Sequence, residues 1–477
     1  MSERFVIGAV SLSFIASLSF GAPSAASANT EPSAFDARSV GLATTGAAYL
    51  DTPAALVVNP ANLMMLESGA IQATFQPVFV KQWAPVEAPD TRSESAGFGP
   101  LFAGYGAARV HRLLVLGFGV YTTTGYSSGF EGLSRVASSE LDAPRDISAR
   151  FFAFEASAAA SLRLHERLYL GFGLRVPYAQ QGASLYQELF PDTGGWGFVE
   201  QSLAGVGYPG GRFGLHIKAH EKLSFGVVYR TKIAVPMSGL ASVDLGGGVR
   251  IDDIEMEPRW YSPHALQAGL AFRAYGGRAL LAADYRLQLH QAVNQVQYFE
   301  TSLLREPIEA PFYFNNVHAL RVGMELRPNT RLALRAGLSR GISATSKEGL
   351  QFFTPPPGPS GSMSFGVGLR FPLADLDFGL VYTHAAKYIE HDEERCGPGN
   401  RIKTHCGGEY GVRTLQFSIS ATRRFAEPRP KPAPFSERRA EERSARNERR
   451  AERVWRSGES EPLAQNDEPQ ESSESSD

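Results

Sequence analysis

The sequence predicts an all-β protein, a 14-stranded antiparallel transmembrane β-barrel with an N-terminal plug (hatch) of short helices. Three observations predict this fold. Between about residues 69 and 425, apolar residues alternate with small or polar residues at period two, which is typical of strands. Six short turns alternate with seven long loops along this stretch, and charged residues keep to one face of the strands. Bacterial outer-membrane barrels combine these features.

The N-terminal residues 1–28 have the layout of a secretory signal peptide. Arg4 precedes an apolar core, Phe5 to Phe20, which is too short to span a bilayer. Ala26-Ser27-Ala28 then fits the small-x-small cleavage pattern. The order of the three parts favours an exported chain over the alternative, a buried helix of a cytosolic domain.

Residues 29–68 do not alternate and contain short helix-like pieces at 47–50, 53–57 and 61–66. A barrel of fourteen strands has a lumen too wide for its own side chains to fill. We therefore predict that this segment is a hatch inside the barrel, which itself covers residues 69–425.

The predicted strands have one apolar face and one small or polar face. Leu116 and Phe118 alternate with Gly117, Gly119 and Tyr121. Nine charged residues lie opposite the apolar rows: Arg175, Arg230, Asp284, Arg286, Arg321, Glu325, Arg335, Arg370 and Asp377. An Arg or Lys on the lipid side at mid-bilayer costs about 2–4 kcal/mol. The pattern favours a membrane barrel over a soluble β-sandwich or β-helix.

The long loops are predicted near 81–97, 126–148, 182–206, 236–258, 292–314, 344–361 and 388–411. The third loop is unusually apolar, with Leu185, Leu189, Phe190, Trp196 and Phe198. Loops on a soluble surface seldom concentrate apolar side chains in this way, which suggests a ligand-capture groove. Alternatively, these side chains pack on neighbouring loops or close the top of the barrel.

The last loop contains the two cysteines, Cys396 and Cys406. An exported protein meets an oxidising environment, so we predict a disulfide. His391 and His405 lie nearby, but the spacing fits no standard zinc pattern, and we predict no metal.

A charged tail, residues 426–477, follows the last strand. It begins with alternating prolines and ends with an acidic stretch. Charge runs of this type are commonly solvated, so we predict a disordered periplasmic tail. The alternative is a docking arm for a periplasmic partner.

Composition and motifs exclude several classes of function. The net charge of −2 argues against a nucleic-acid binder. The mean hydropathy of −0.18 argues against a bundle of transmembrane helices. No G-x-S-x-G, H-E-x-x-H or P-loop motif occurs. We therefore expect no enzymatic activity and no cofactor.

The run from Ser39 through Asp51 to Asn59-Pro60-Ala61 resembles the N-terminal hatch of the FadL family. That family comprises outer-membrane transporters of long-chain fatty acids and other hydrophobic compounds. The segment from Gly117 through Gly125 to Phe130 is similar to the family's third strand, which is kinked and leaves a gap in the wall. The resemblance covers roughly residues 33 to 425, and only the tail departs from the family pattern.

The resemblance implies a monomer in the Gram-negative outer membrane that contacts outer-membrane lipid and imports hydrophobic small molecules passively. Ligand would pass from the capture groove to a pocket above the hatch and leave sideways through the gap near Gly125 and Phe130. Asn59 would hold the hatch by hydrogen bonds, and Pro60 would fix the turn. The alternatives are a secretion accessory barrel of the PorV type, which carries a similar hatch, and a non-specific porin.

Overall fold

The computed structural model describes residues 36–86, 88–133, 145–190, 195–302, 307–311, 313–391 and 407–425. The chain divides into two units, Met1–Phe425 and Ala426–Asp477, and the described residues all lie in the first. The predicted signal peptide, the cysteine pair and the tail lie outside the described residues.

Fourteen antiparallel strands form one closed barrel, as the alternation predicts. Each strand pairs with the next, and the last pairs with the first between Ala70↔Arg424 and Trp83↔Gly411. The strands are β1 Ala70–Ala84, β2 Ser93–His111, β3 Leu114–Leu133, β4 Arg145–His165, β5 Leu168–Phe190, β6 Gly195–Val206 with Gly210–His220, β7 Leu223–Arg230 with Ile233–Pro236 and Ser238–Gly246, β8 Val249–Ser262 with Ala265–Ala274, β9 Ala279–Gln288 with Val296–Thr301, β10 Ile308–Pro311 with Val317–Leu326, β11 Leu332–Ile342, β12 Pro359–Arg370, β13 Asp375–Ile389 and β14 Gly408–Arg424.

Helices are few and short. The hatch contains α1 Ala37–Val40, α2 Ala55–Val58 and a 3₁₀ helix, Pro60–Met65. Two further 3₁₀ turns span Tyr275–Gly277 and His290–Ala292. The predicted helical piece at 47–50 is a turn instead. Among the described residues, no helix has the length and apolar character needed to cross a bilayer.

All six short turns lie where the sequence places them, between β2 and β3 and then at every second connection. Strands extend into most of the predicted long loops, and 182–206, 236–258 and the described residues of 126–148 are largely strand. β5 extends to Phe190, and β6 already begins at Gly195. A tight turn at Gly247 and Gly248 joins β7 to β8. Both glycines have positive φ, 59° and 82°, which a glycine adopts without strain. The long hairpins lack the apolar alternation because their outer ends have no lipid to face.

The two faces of the wall differ as predicted. Outward side chains are apolar and exposed, such as Phe118 at 58% and Phe365 at 57%. Eight of the nine predicted lumen charges are buried, and Arg370 is partly buried. A closed sheet with an apolar outer belt satisfies its backbone groups within the protein, which hydrocarbon requires.

Candidate functional site

The described part of the hatch, residues 36–68, is held in the lumen by the Asn59-Pro60-Ala61 element. The buried Nδ2 of Asn59 donates hydrogen bonds to the carbonyl oxygens of Ala47 at 2.7 Å and Leu215 at 3.1 Å. Its Oδ1 accepts the N–H of Ala61 at 3.1 Å and so caps the 3₁₀ helix. Pro60 starts that helix, where its missing N–H costs no hydrogen bond. Asn59 thus joins two parts of the hatch to β6.

A second asparagine, which the sequence analysis missed, repeats this role one turn later. Nδ2 of Asn62 donates to the carbonyl oxygen of Gly46 at 3.0 Å. Its Oδ1 lies 2.8 Å from Nδ1 of His216, whose ring stacks on Tyr169 with the centroids 5.5 Å apart. The sequence could have shown this, because Asn59 and Asn62 are three residues apart and therefore one turn of a 3₁₀ helix apart.

Charged side chains fix the opposite side of the hatch to β10 and β11. The buried carboxylate of Glu325 accepts hydrogen bonds from Nε of Arg38 in the hatch at 2.9 Å and of Arg335 at 2.7 Å. Arg38 also contacts Asp51 at 2.5 Å. Burial alone would raise the pKa of the Asp51 carboxyl, but Arg38 and Arg424 outweigh it and lower that pKa.

A third attachment point is Asp284 on β9. Its Oδ2 accepts the backbone N–H groups of Gly46 at 2.9 Å and Ala47 at 3.0 Å, together with Nε2 of Gln267 at 2.8 Å. These three donors satisfy Oδ2 of the buried carboxylate. The sequence predicted its inward orientation but not its partner.

Inward-facing glycines form the seat of the hatch. A Cβ built on Gly323 would lie 2.7 Å from the carbonyl oxygen of Leu42, and one on Gly379 would lie 2.6 Å from that of Ala37. The same close approach recurs around the wall at Gly171, Gly214, Gly226, Gly269, Gly337 and Gly366. The backbone of the hatch therefore lies flush against the wall, and no room for a side chain remains between them.

We expect Gly323→Val to weaken the hatch seat, because the added side chain must displace the backbone of Leu42. Overpacking of this kind costs about 1–3 kcal/mol. The temperature at which the folded barrel loses its fast mobility in SDS gels measures the effect. Gly104→Val is the matched control, since a Cβ there meets no atom within 4 Å. Equal midpoints for the two variants would contradict the seat.

The wall opens between β2 and β3. Their pairing runs from His111↔Leu114 to Ala103↔Tyr121 and, within the described residues, ends there. Beyond a bulge between Thr122 and Thr124, β3 pairs with β4 alone, while the outer half of β2 pairs with β1 alone. A bulge ends pairing and bends the strand.

Side chains partly replace the missing ladder. Oγ1 of Thr122 lies 3.4 Å from the amide nitrogen and 3.3 Å from the carbonyl oxygen of Phe102. Further out, the N–H of Gly129 donates to Oγ of Ser95 at 3.0 Å. These contacts are fewer than the hydrogen bonds of a backbone ladder, and those of Thr122 are long, so this seam is weaker than its neighbours.

Gly125 lies where the two strand pairs overlap. It is paired with Phe152, on the outward face of β3. A Cβ built on it would lie 3.2 Å from Phe152 and 3.6 Å from Leu101, which faces inward on β2. An outward position on β3 that touches an inward side chain of β2 means that β3 bends into the lumen beneath β2.

The outer mouth is filled by an apolar cluster that includes Phe130. We call it the mouth cluster, and it comprises Ala84, Val86, Phe130, Ile147, Phe198, Leu350, Ile389 and Tyr410, with Phe352 and Phe353 packed against it. The loop 343–358 crosses the mouth to reach it. Leu350 is fully buried, and the rings of Phe130 and Phe353 lie 6.3 Å apart. Nε2 of Gln82 on β1 donates to the carbonyl oxygen of Phe352 at 2.9 Å.

The predicted capture residues are not on a loop. Leu185, Leu189 and Phe190 lie on β5, and Trp196 and Phe198 lie on β6. Leu185 is half-buried and Phe198 is in the mouth cluster. The side chains of Leu189, Phe190 and Trp196 lie outside the described residues. The structure therefore joins Phe198 to Phe130, and it adds Leu350 and Phe353 from a loop that the sequence analysis did not select.

Between the mouth cluster and the hatch lies a buried polar network. The Glu155 carboxylate accepts from the hydroxyl of Tyr121 at 2.6 Å and from Arg175 at 3.0 Å. Arg212 donates to the hatch carbonyl oxygen of Leu56 at 3.1 Å. These lumen charges pair with one another and with the hatch backbone. Within the described ranges, no three His, Cys, Asp or Glu side chains are placed to hold a metal ion.

No protein-family model and no curated protein matches the chain. Solved structures do match it. A Pseudomonas aeruginosa FadL homologue is 15% identical, with a TM-score of 0.67 over 82% of this chain and 98% of that one. The Ralstonia pickettii toluene transporter TbuX is 18% identical, with a TM-score of 0.66 over 83% and 99%. The Pseudomonas putida toluene transporter TodX is 16% identical, with a TM-score of 0.65 over 82% and 98%. The hatch, the seam and the barrel closed by fourteen strands together give this chain the FadL-type fold.

Proposed function

We propose that this protein carries hydrophobic small molecules across the outer membrane by passive diffusion. Ligand binds at the mouth cluster, enters the space above the hatch and leaves sideways between β2 and β3. The observation that carries the proposal is the end of the β2–β3 ladder at Tyr121, whose side chain belongs to the same apolar cluster as Leu56 and Leu63 of the hatch.

The axial route is unfavourable for such a ligand. The hatch touches the wall without a gap at its glycine seat, and three carboxylate or amide anchors hold it there. An apolar molecule also loses about 0.8 kcal/mol per CH₂ group when it moves from an apolar site into water. A lateral exit leads from the lumen directly into the hydrocarbon of the membrane.

The weak seam supports this exit. Opening it breaks the side-chain contacts of Thr122 and Ser95 and no backbone pair of the described ladder. Because residue 125 is a glycine, no side chain of the bent strand β3 stands between it and Leu101 of β2. The β2–β3 seam is therefore the least costly place for this wall to part.

The mouth cluster supports capture of an apolar ligand. It is aromatic and aliphatic, and its loop residues Leu350 and Phe353 approach from across the lumen rather than from a strand. A ligand that binds among these side chains buries its own apolar surface against theirs. Monoaromatic hydrocarbons and fatty acyl chains both fit such a surface.

The remaining assignments belong to the same proposal. Residues 1–28 direct export, residues 29–68 form the hatch, and residues 69–425 span the outer membrane as a monomer. Residues 426–477 remain in the periplasm as a charged tail. The protein acts without a cofactor and catalyses no reaction.

Uptake by proteoliposomes tests the proposal. We expect labelled toluene and labelled oleate to enter vesicles that contain the protein faster than protein-free vesicles, with little ion conductance in planar bilayers. Large, steady conductance would instead identify a porin. Absent uptake together with co-purification of a large envelope complex would identify a secretion accessory barrel.

A further inference from the structure

We propose that three neighbouring periplasmic turns bind the phosphate groups of inner-leaflet phospholipids. This proposal rests on the outer-membrane location given under the proposed function, but it concerns the periplasmic end of the barrel and not the route of the ligand. The turns join β2 to β3, β4 to β5 and β6 to β7, and each places a histidine at the strand end with a cation behind it. We call these residues the phosphate collar, and they are His111, Arg112, His165, Arg167, His220 and Lys222.

The three imidazoles share one hydrogen-bonding arrangement. Nδ1 of His111 accepts the N–H of Leu113 at 3.2 Å, and Nδ1 of His220 accepts that of Lys222 at 3.2 Å. Nδ1 of His165 accepts the N–H of Arg167 at 3.3 Å. A neutral imidazole whose Nδ1 accepts must carry its proton on Nε2. Each turn therefore presents an N–H donor beside a cation.

The three cations are available for an anionic ligand. Among the described residues, no carboxylate lies within ion-pair distance of Arg112, Arg167 or Lys222. Glu166 and Glu221 lie in the same turns and are exposed, but they form no such pair in the described part of the chain. A guanidinium or ammonium with a neighbouring N–H donor suits the oxygens of a phosphate.

Exposed leucines set the depth of the collar. Leu113, in the first turn, is 42% exposed, and Leu164, on β4 next to His165, is 59% exposed. Large apolar side chains at this position would be unfavourable in water, but they bury themselves where acyl chains meet headgroups. Basic side chains at that depth reach the phosphates with their charged ends while their stems stay in the apolar layer.

Lipid retention tests the collar. The protein is reconstituted in nanodiscs of three parts phosphatidylcholine to one part phosphatidylglycerol, and the lipids kept after detergent exchange are measured by native mass spectrometry. We expect wild-type protein to retain phosphatidylglycerol preferentially. The variant Arg112→Gln/Arg167→Gln/Lys222→Gln should lose about fivefold or more of that preference.

Matched controls separate the collar from general charge. Arg278→Gln/Arg331→Gln/Arg423→Gln removes three exposed cations from the same end of the barrel, away from the histidine turns, and should keep the preference. We expect inorganic phosphate alone not to displace the retained lipid, because the exposed leucines also contact its acyl chains. Equal retention in the collar and control variants would overturn the proposal, as would binding of an acidic protein without lipid. Toluene uptake should be unchanged in the collar variant, so failure here is distinct from failure of the transport function.

Discussion

A disulfide between Ser95→Cys and Gly129→Cys is expected to reduce uptake of labelled toluene to the level of protein-free liposomes, and a reductant should restore it. These positions already touch across the seam, with the Gly129 N–H donating to Oγ of Ser95 at 3.0 Å. A covalent bond there replaces one of the few side-chain contacts between the outer parts of β2 and β3 and prevents the wall from parting. The variant also needs Cys396→Ser and Cys406→Ser, so that the engineered pair is the one that forms.

The matched control joins two strands that are already fully paired. The hydroxyl oxygens of Ser339 and Ser362 lie 2.5 Å apart across the β11–β12 ladder. A disulfide between Ser339→Cys and Ser362→Cys in the same background should leave uptake unchanged. Full uptake in the oxidised Ser95→Cys/Gly129→Cys protein would exclude the lateral exit, whereas loss of uptake in both cross-linked proteins would point to a general effect of oxidation.

Glu325→Gln is expected to release one side of the hatch and raise ion conductance. The carboxylate compensates Arg38 of the hatch and Arg335 of β11, and all three side chains are buried. Removing one partner of a buried ion pair leaves an uncompensated charge and costs about 3–5 kcal/mol. The unfolding temperature should fall, and planar bilayers should show openings that are absent from the wild type.

Glu94→Gln provides the control for that experiment. Glu94 also binds two cations, Lys81 and Arg92, but its side chain is 41% exposed at the rim of the barrel. Exposed ion pairs contribute little to stability. We expect unchanged conductance and unfolding temperature. A Glu325→Gln protein that behaves like Glu94→Gln would show that the hatch is held by its backbone contacts and not by charge.

The wall and its orientation were predictable because they depend on local patterns. Period two determines which side chains face lipid, and the six short turns mark one end of every second strand. The inward position of Arg335 or Asp284 follows from its neighbours in the same strand. The Asn59-Pro60-Ala61 element was likewise visible, because a capped 3₁₀ helix is encoded within a few residues.

The partners of these residues were not predictable in the same way. Arg38 meets Glu325 across 287 positions of sequence, and that contact exists only after the barrel has closed in one register. Leu350 lies in a loop without any periodicity, so nothing local shows that the loop folds into the lumen. Phe198 was assigned to a loop because the outer half of a long hairpin lacks the apolar face on which strand recognition relies.

The fit between the hatch and the inward glycines also restricts the order in which the molecule is made. The hatch precedes β1 in the chain, yet it touches strands up to β14, where Ser420 accepts the N–H of Ala37 at 2.8 Å. Once β14 has paired with β1, a folded hatch could enter the barrel only past the wall residues that it touches in the finished structure. We therefore expect the hatch to enter before β14 pairs with β1, so that this edge of the sheet stays open until the N-terminal segment is in place.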